Sequence, residues 1–246
     1  MYNSISLSHG GDSIELVPFG ATLTSWKVDG QEMLFLSKKS LQDGKSPIRG
    51  GIPLVFRNVS KAVILSLEDN DCTRSIWNHG FRLVYRIELQ KAKLRLELTV
   101  ENTGTSTFEF TTLMHPYWRM EDVRKCTLSG CHGVLYADKT KDFCELREER
   151  EYVTISQWTD NIYKSTERVH MLTEVGTGKT LKIEKENLPD TVVWNPWAKM
   201  AAKLEDLDVN EYMHMLCVEP GHVVQPVLLE PSQHFRAACT FTACDG

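Results

Sequence analysis

The 246-residue sequence predicts an all-β fold, a sandwich of large antiparallel sheets. One observation is period-2 alternation: Phe81, Leu83, Tyr85, Ile87 and Leu89 alternate with Arg82, Val84, Arg86 and Glu88, and the pattern resumes from Leu94 to Val100. The intervening Gln90-Lys91-Ala92-Lys93 reads as a four-residue turn, so the two segments predict an adjacent antiparallel pair. The other is the recurrence of short apolar runs punctuated by Gly, Pro and Asn, with no long helices between them to support βαβ units. In chain order, further strands are expected at 14–18, 21–28, 62–67, 107–113, 123–129, 152–156, 179–185, 191–194, 214–219, 223–229 and 234–242. Helical composition is confined to 198–207, and with no linker the chain is expected to form one domain, 1–246.

Hydrophobic residues make up 41% of the chain and the formal net charge is -5, with basic and acidic residues interspersed. Neither a basic nucleic-acid-binding surface nor a membrane-binding one follows from that pattern, so the expected ligand is small. The N-terminus lacks a basic region followed by a long apolar core, and the seven cysteines are odd in number and scattered. Reduced thiols in a cytoplasmic protein are therefore expected. Cys126 and Cys131 lack the close spacing and second pair of a metal site, and Arg49-Gly50-Gly51-Ile52-Pro53 lacks the Lys-Ser/Thr of a nucleotide loop. No metal and no cofactor are expected.

The candidate chemistry begins at Glu219, a carboxylate inside the apolar run Met215-Leu216-Cys217-Val218-Glu219. An isolated ionised carboxylate in a buried strand costs several kcal/mol unless partners or a ligand satisfy it. His115 ends a second apolar run, Leu113-Met114-His115-Pro116-Tyr117-Trp118. A Glu and a His facing one cleft suffice for proton transfer in both directions near neutral pH. The structural alternatives are a satisfied buried carboxylate and a core histidine. Trp158, Trp194 and Trp197 read as packing residues, and Lys125, Lys141 and Lys164 as solvated charges, one of which could complete an anion pocket.

Four segments carry a resemblance: Arg49-Gly50-Gly51-Ile52-Pro53-Leu54-Val55-Phe56, His115-Pro116-Tyr117-Trp118, Asn187 to Trp197, and Cys217-Val218-Glu219-Pro220-Gly221-His222-Val223. In order and spacing they resemble the glucose-6-phosphate 1-epimerases, or hexose-6-phosphate mutarotases, a branch of the aldose 1-epimerase family with a galactose-mutarotase-like sandwich. The resemblance extends over 11–242. It implies cofactor-independent isomerase activity on the α and β anomers of a hexose 6-phosphate, first of all glucose 6-phosphate, in a monomer with no nucleic-acid or membrane partner. It matches His115 to the family's acid, Glu219 to its base, and Asp160, in Thr159-Asp160-Asn161, to the aspartate that holds sugar hydroxyls. Turn chemistry is the alternative for Asp160. Arg49 matches the arginine before the glycine pair and is expected to hold phosphate, with the glycines permitting close approach.

The chain departs from the family pattern after residue 56. The segment between Val55-Phe56 and Arg57-Asn58 is expected to be shortened, removing the proline after Phe56 and a loop histidine that forms part of the pocket wall. Arg57-Asn58 is similar to the end of the family's Ala-Arg-Asn sequence, which makes Arg57 a second phosphate candidate. Asn78-His79-Gly80-Phe81-Arg82 looks like the missing loop, but it leads directly into the alternating strand, so His79 reads as a strand-edge histidine. Tyr136 and Asp138 fall in another family-like segment without an assigned role. The shortening motivates an alternative, a catalytically impaired sugar-phosphate-binding sandwich; an aldose 1-epimerase acting on free hexoses is the other.

Overall fold

Three antiparallel sheets carry the chain in the computed structural model, which describes residues 4–17, 19–41, 43, 46–53 and 62–245. The N-terminal sheet runs in chain order through β1 (Ile5–His9), β2 (Asp12–Val17), β3 (Thr22–Val28) and β4 (Gln31–Glu32). There follow β5 (Ala62–Glu68), the short helix α1 (Asp71–Ile76), β6 (Phe81–Gln90), β7 (Lys93–Asn102), β8 (Phe108–Leu113) and β9 (Tyr117–Arg119). The remaining elements are β10 (Leu135–Asp138), β11 (Cys144–Arg147), β12 (Thr159–Tyr163), β13 (Val169–Val175), β14 (Lys179–Glu186), β15 (Asp190–Asn195), α2 (Trp197–Ala201), β16 (Met215–Leu229) and β17 (His234–Cys244). One large sheet has the order β13-β14-β17-β7-β6-β5, and the other β11-β10-β12-β15-β16-β8, with β9 also paired to β16.

The alternating pair forms as its pattern requires. β6 and β7 pair from Phe81 opposite Asn102 to Gln90 opposite Lys93, burying Phe81, Tyr85, Ile87 and Leu89 while Arg82 and Arg86 stay exposed. The connection is tighter than the expected four residues, because Gln90 and Lys93 already belong to the ladder. Lys91 and Ala92 alone make the turn, Ala92 adopts φ 53°, and its N–H donates to the buried Asp12 carboxylate. Rings from all three sheets meet in the interior: Trp26 of β3 lies edge-on to Trp118 of β9 at 6.4 Å, and Trp118 meets Phe241 of β17 at 4.8 Å. All three are fully buried. At roughly 25 cal/mol per Å² of apolar surface removed from water, such aromatics are among the largest single contributors to the core.

Several expected elements differ. The proposed strands at 214–219 and 223–229 are one strand, β16, running through Pro220-Gly221. Pro220 needs only an acceptor role there, and its carbonyl takes the Met114 N–H at 2.9 Å. The break is displaced to a bulge in the β8 ladder between His222 and Val227, where Asp190 accepts from the Val223 and Val224 N–H groups. Residues 123–129 begin as a 3-10 turn, Val123–Lys125, capped by Asp122, and contribute only bridges at Leu128; 152–156 likewise contributes a single bridge at Val153. The expected helix at 198–207 is limited to α2, after which turns lead to a 3-10 turn at Glu211–His214.

Candidate active site

The register of the β12-β15-β16 ladders assembles the site. Glu219 stands opposite Val192, and Val192 opposite Ile162; one row along, Cys217 stands opposite Trp194, and Trp194 opposite Asp160. Because strand side chains alternate in direction, both rows project from the same sheet face. His115 reaches that face from the link between β8 and β9, its ring stacked parallel on Tyr117 at 4.8 Å and edge-on to Trp194 at 6.3 Å. Arg49, His115, Lys139, Asp160, Trp194 and Glu219 thus line one cleft of about 320 Å³. A larger cavity of about 620 Å³ beside Phe35, Arg119 and His214 lacks a comparable acid–base contact.

At the centre of the cleft His115 Nε2 lies 3.4 Å from Glu219 Oε1. Burial pushes the Glu219 carboxyl up to about 8, with the Asp160 carboxylate adding to the rise and Lys139 opposing it. Burial likewise pulls His115 down to about 4, helped by the positive charges of Arg49 and Lys139. Both shifts have desolvation as their main cause and favour the uncharged forms, a carboxylic acid beside a neutral imidazole. Transfer of a proton from Glu219 to His115 gives the base and acid that the resemblance implies. Among the described residues, none is a hydrogen-bond partner for the buried His115 Nδ1.

Among the described residues, Arg49 and Lys139 of the cleft each have a carboxylate partner. Arg49 donates from Nε to Asp206 Oδ2 at 3.0 Å and from Nη1 to the Tyr117 hydroxyl at 3.1 Å, while Lys139 Nζ lies 3.1 Å from Asp160 Oδ2. Asp160 is a strand residue of β12, rather than part of a turn, and burial raises its carboxyl against the opposing effect of Lys139. Asp206 and Lys139 were not identified from sequence. Asp206 falls in the segment expected to be helical; the available clue to Lys139 was the family-like Tyr136-Ala137-Asp138 immediately before it.

The expected glycine role at Arg49 is corrected by the backbone. A Cβ at Gly50 would collide with the Phe35 carbonyl, and one at Gly51 with the Leu23 carbonyl; both residues have positive φ, at 124° and 66°. The pair therefore lets chain pack on chain, bonding Gly51 N–H to the Phe35 carbonyl at 2.8 Å, and thereby sets the position of Arg49. Arg57 and the shortened segment after residue 56 lie outside the described residues. His79 packs on Trp77 and Phe108 and does not line the cleft. Among the described residues, His115, Cys217 and Glu219 bring potential metal-ligand atoms within 4.8 Å of one another. Burial drives the Cys217 thiol well above its ordinary value, which disfavours the thiolate that metal binding requires.

The fold and the family are both shared with known proteins. The aldose 1-epimerase family model matches residues 55–242, and the chain belongs to that family. A Cenchrus ciliaris protein provisionally named glucose-6-phosphate 1-epimerase is 29% identical over 265 residues, covering 93% of this chain and 80% of the relative. An Escherichia coli K12 protein with the same provisional name is 24% identical, with 87% and 82% coverage. The first aligned stretch exceeds the full length of this chain, so that relative has positions without counterparts here. In three dimensions, a Salmonella typhimurium protein provisionally called a mutarotase matches with a TM-score of 0.88 at 22% identity, covering 100% of this chain and 91% of the other. The expected mutarotase-type sandwich is thus the fold of this protein.

Proposed function

We propose that the protein is a cofactor-independent hexose-6-phosphate 1-epimerase, acting in the cytoplasm as a monomer and most directly on glucose 6-phosphate. The observation that carries this reading is the 3.4 Å contact between His115 Nε2 and Glu219 Oε1 in a recessed cleft that also contains Arg49 and Asp160. Moving the shared proton from Glu219 to His115 generates a carboxylate base and an imidazolium acid. Glu219 takes the proton of the anomeric hydroxyl, the C1–O1 bond becomes a carbonyl, and the C1–ring-oxygen bond breaks as His115 protonates the ring oxygen. Rotation about C1–C2 turns the other aldehyde face toward that oxygen. The proton movements then reverse, closing the opposite anomer and restoring the pair. Positioned acid–base groups contribute roughly 10²- to 10⁴-fold, and holding both against one substrate lowers the entropic cost of their encounter.

Asp160 is assigned to sugar hydroxyls and Arg49 to phosphate, with Arg57 the second phosphate candidate. A second reading, epimerase activity on free hexoses, is favoured by the carboxylate already paired with each described cleft cation, Asp206 with Arg49 and Asp160 with Lys139. The shortened segment also supports the reading of a binding protein with impaired catalysis. One experiment separates them: dissolve α-glucose 6-phosphate or α-glucose with the purified protein and follow anomer exchange by NMR. Faster exchange of the phosphorylated sugar at equal concentration supports the proposal. Preference for free glucose selects the second reading, and binding without exchange above the buffer rate selects the impaired protein.

A further inference from the structure

Lys139 enters the cleft from a short turn built for its placement. The 3-10 turn Lys139–Lys141 follows β10, and the buried Asp138 carboxylate accepts the Thr140 N–H at 2.9 Å and the Thr140 hydroxyl at 2.6 Å. Asp138 also holds the ammonium of Lys141 at 3.0 Å. Lys139 instead reaches Asp160 on the neighbouring strand β12, at 3.1 Å, and both residues line the cleft that contains Glu219.

We infer that Lys139 is a positioning residue for the acid–base pair: it anchors Asp160 at the cleft wall and offsets its charge, lowering the pH range over which His115 and Glu219 exchange a proton. This inference rests on the epimerase reading for its catalytic consequence, but its electrostatic content belongs to the unliganded protein. The groups around the pair come from several elements: Arg49 from the segment before β5, Tyr117 from β9, Lys139 from the turn after β10, Asp160 from β12 and Cys217 from β16. Asp206 acts on this set through its contact with Arg49. Tyr117 and Cys217 are neutral, because burial raises both above their ordinary values. The local balance therefore sets two cations against the Asp160 and Asp206 carboxylates and the titrating carboxyl of Glu219.

Two carboxylates in a desolvated cleft resist simultaneous ionisation, and a neighbouring ammonium relieves that resistance. Removing Lys139 should raise the proton affinity of Glu219 and also of His115, since the same positive charge lowers both. The expected displacement is about one pH unit at each group, the low end of what a nearby charge produces. Asp160→Asn should act oppositely on Glu219, by removing the carboxylate that pushes it upward.

The test is an NMR titration of the Glu219 carboxyl and His115 imidazole in unliganded wild type, Lys139→Met, Lys139→Gln, Lys139→Arg and Asp160→Asn, with anomer exchange followed over the same pH range. Both midpoints should rise in Lys139→Met and return toward wild type in Lys139→Arg, and the limits of the exchange profile should move with them. If Lys139→Met does not fold, Lys139→Gln decides: both midpoints must rise by about one pH unit. Unmoved midpoints in a folded Lys139→Met or Lys139→Gln overturn the inference. Absence of wild-type exchange would instead overturn the epimerase reading, and the titrations distinguish the two failures.

Discussion

Arg49 Nε donates to Asp206 Oδ2 at 3.0 Å, joining the segment before β5 to the turns after α2 across 157 residues of sequence. A second guanidinium nitrogen, Nη2, meets the same oxygen at 3.0 Å, so one edge of Arg49 is committed to Asp206 while Nη1 turns to Tyr117. An incoming phosphate would have to share or displace this carboxylate.

Arg49→Ala should consequently weaken use of glucose 6-phosphate more than use of glucose. Loss of a charge-assisted contact corresponds to roughly 1.5 to 3 kcal/mol, or about 10- to 100-fold in KM. Asp206→Asn should have the opposite sign, lowering KM for the phosphorylated sugar by up to about tenfold through relief of charge repulsion while leaving glucose nearly unchanged. Steady-state anomer exchange on both sugars measures this difference. Equal effects of Arg49→Ala on the two would remove Arg49 from phosphate recognition.

The catalysed rate should form a bell in pH with limits near 4 and 8. Below about 4, His115 takes a second proton and the pair no longer has a base; above about 8, Glu219 loses its proton and the pair no longer has an acid. The ordinary values, 6.5 for His and 4.5 for Glu, would confine the one-proton interval to a much narrower range. Burial widens it from both sides. Exchange rates corrected for the buffer reaction provide the measurement, and a bell whose limits fall at the ordinary values of 4.5 and 6.5 would contradict this environment.

Asp190→Ala should destabilise the fold substantially. Asp190 is buried and accepts the backbone N–H groups of Ser165, Val223 and Val224 at 3.1, 3.0 and 2.9 Å, bracing the β16 bulge next to Glu219. Orphaning such donors costs about 1–3 kcal/mol each when water cannot replace the acceptor. A loss of about 3 kcal/mol would lower Tm by about 10 °C for a chain of this size. Calorimetry tests the assignment; an unchanged Tm would mean that solvent satisfies these donors.

Legibility in the sequence followed the range of the forces involved. The β6–β7 hairpin is written in local period-2 alternation, and Glu219 was conspicuous because its neighbours in β16 are apolar. Asp160 was harder to place: Thr-Asp-Asn favours turns locally, yet Thr159, Asn161 and Tyr163 point inward and pair β12 into the large sheet. The continuity of β16 through Pro220 depends on an acceptor bond from Met114, and the Arg49–Asp206 pair depends on distant chain segments meeting. Neither relationship has a local periodicity. The same limitation concealed Lys139, whose direction is set by the Asp138 cap and by the adjacency of β10 and β12.

Glu219→Gln tests the proposed chemistry most directly, because it preserves the approximate shape at Val192's ladder partner while removing proton exchange by the carboxyl. It should reduce catalysed anomer exchange by about 10²-fold or more, with phosphosugar binding still measurable because the phosphate contacts are assigned to arginine. His115→Asn should be comparably severe, since it removes the other member of the pair. If the residues act as one proton-sharing unit, the double variant should be scarcely slower than either single variant, and their free-energy effects will fall well short of additivity. Ligand titration and circular dichroism on each protein separate lost chemistry from lost binding or folding. Wild-type exchange in a folded Glu219→Gln protein would exclude the carboxyl as the base, whereas fully additive losses would mean that His115 and Glu219 serve independent steps despite their 3.4 Å contact.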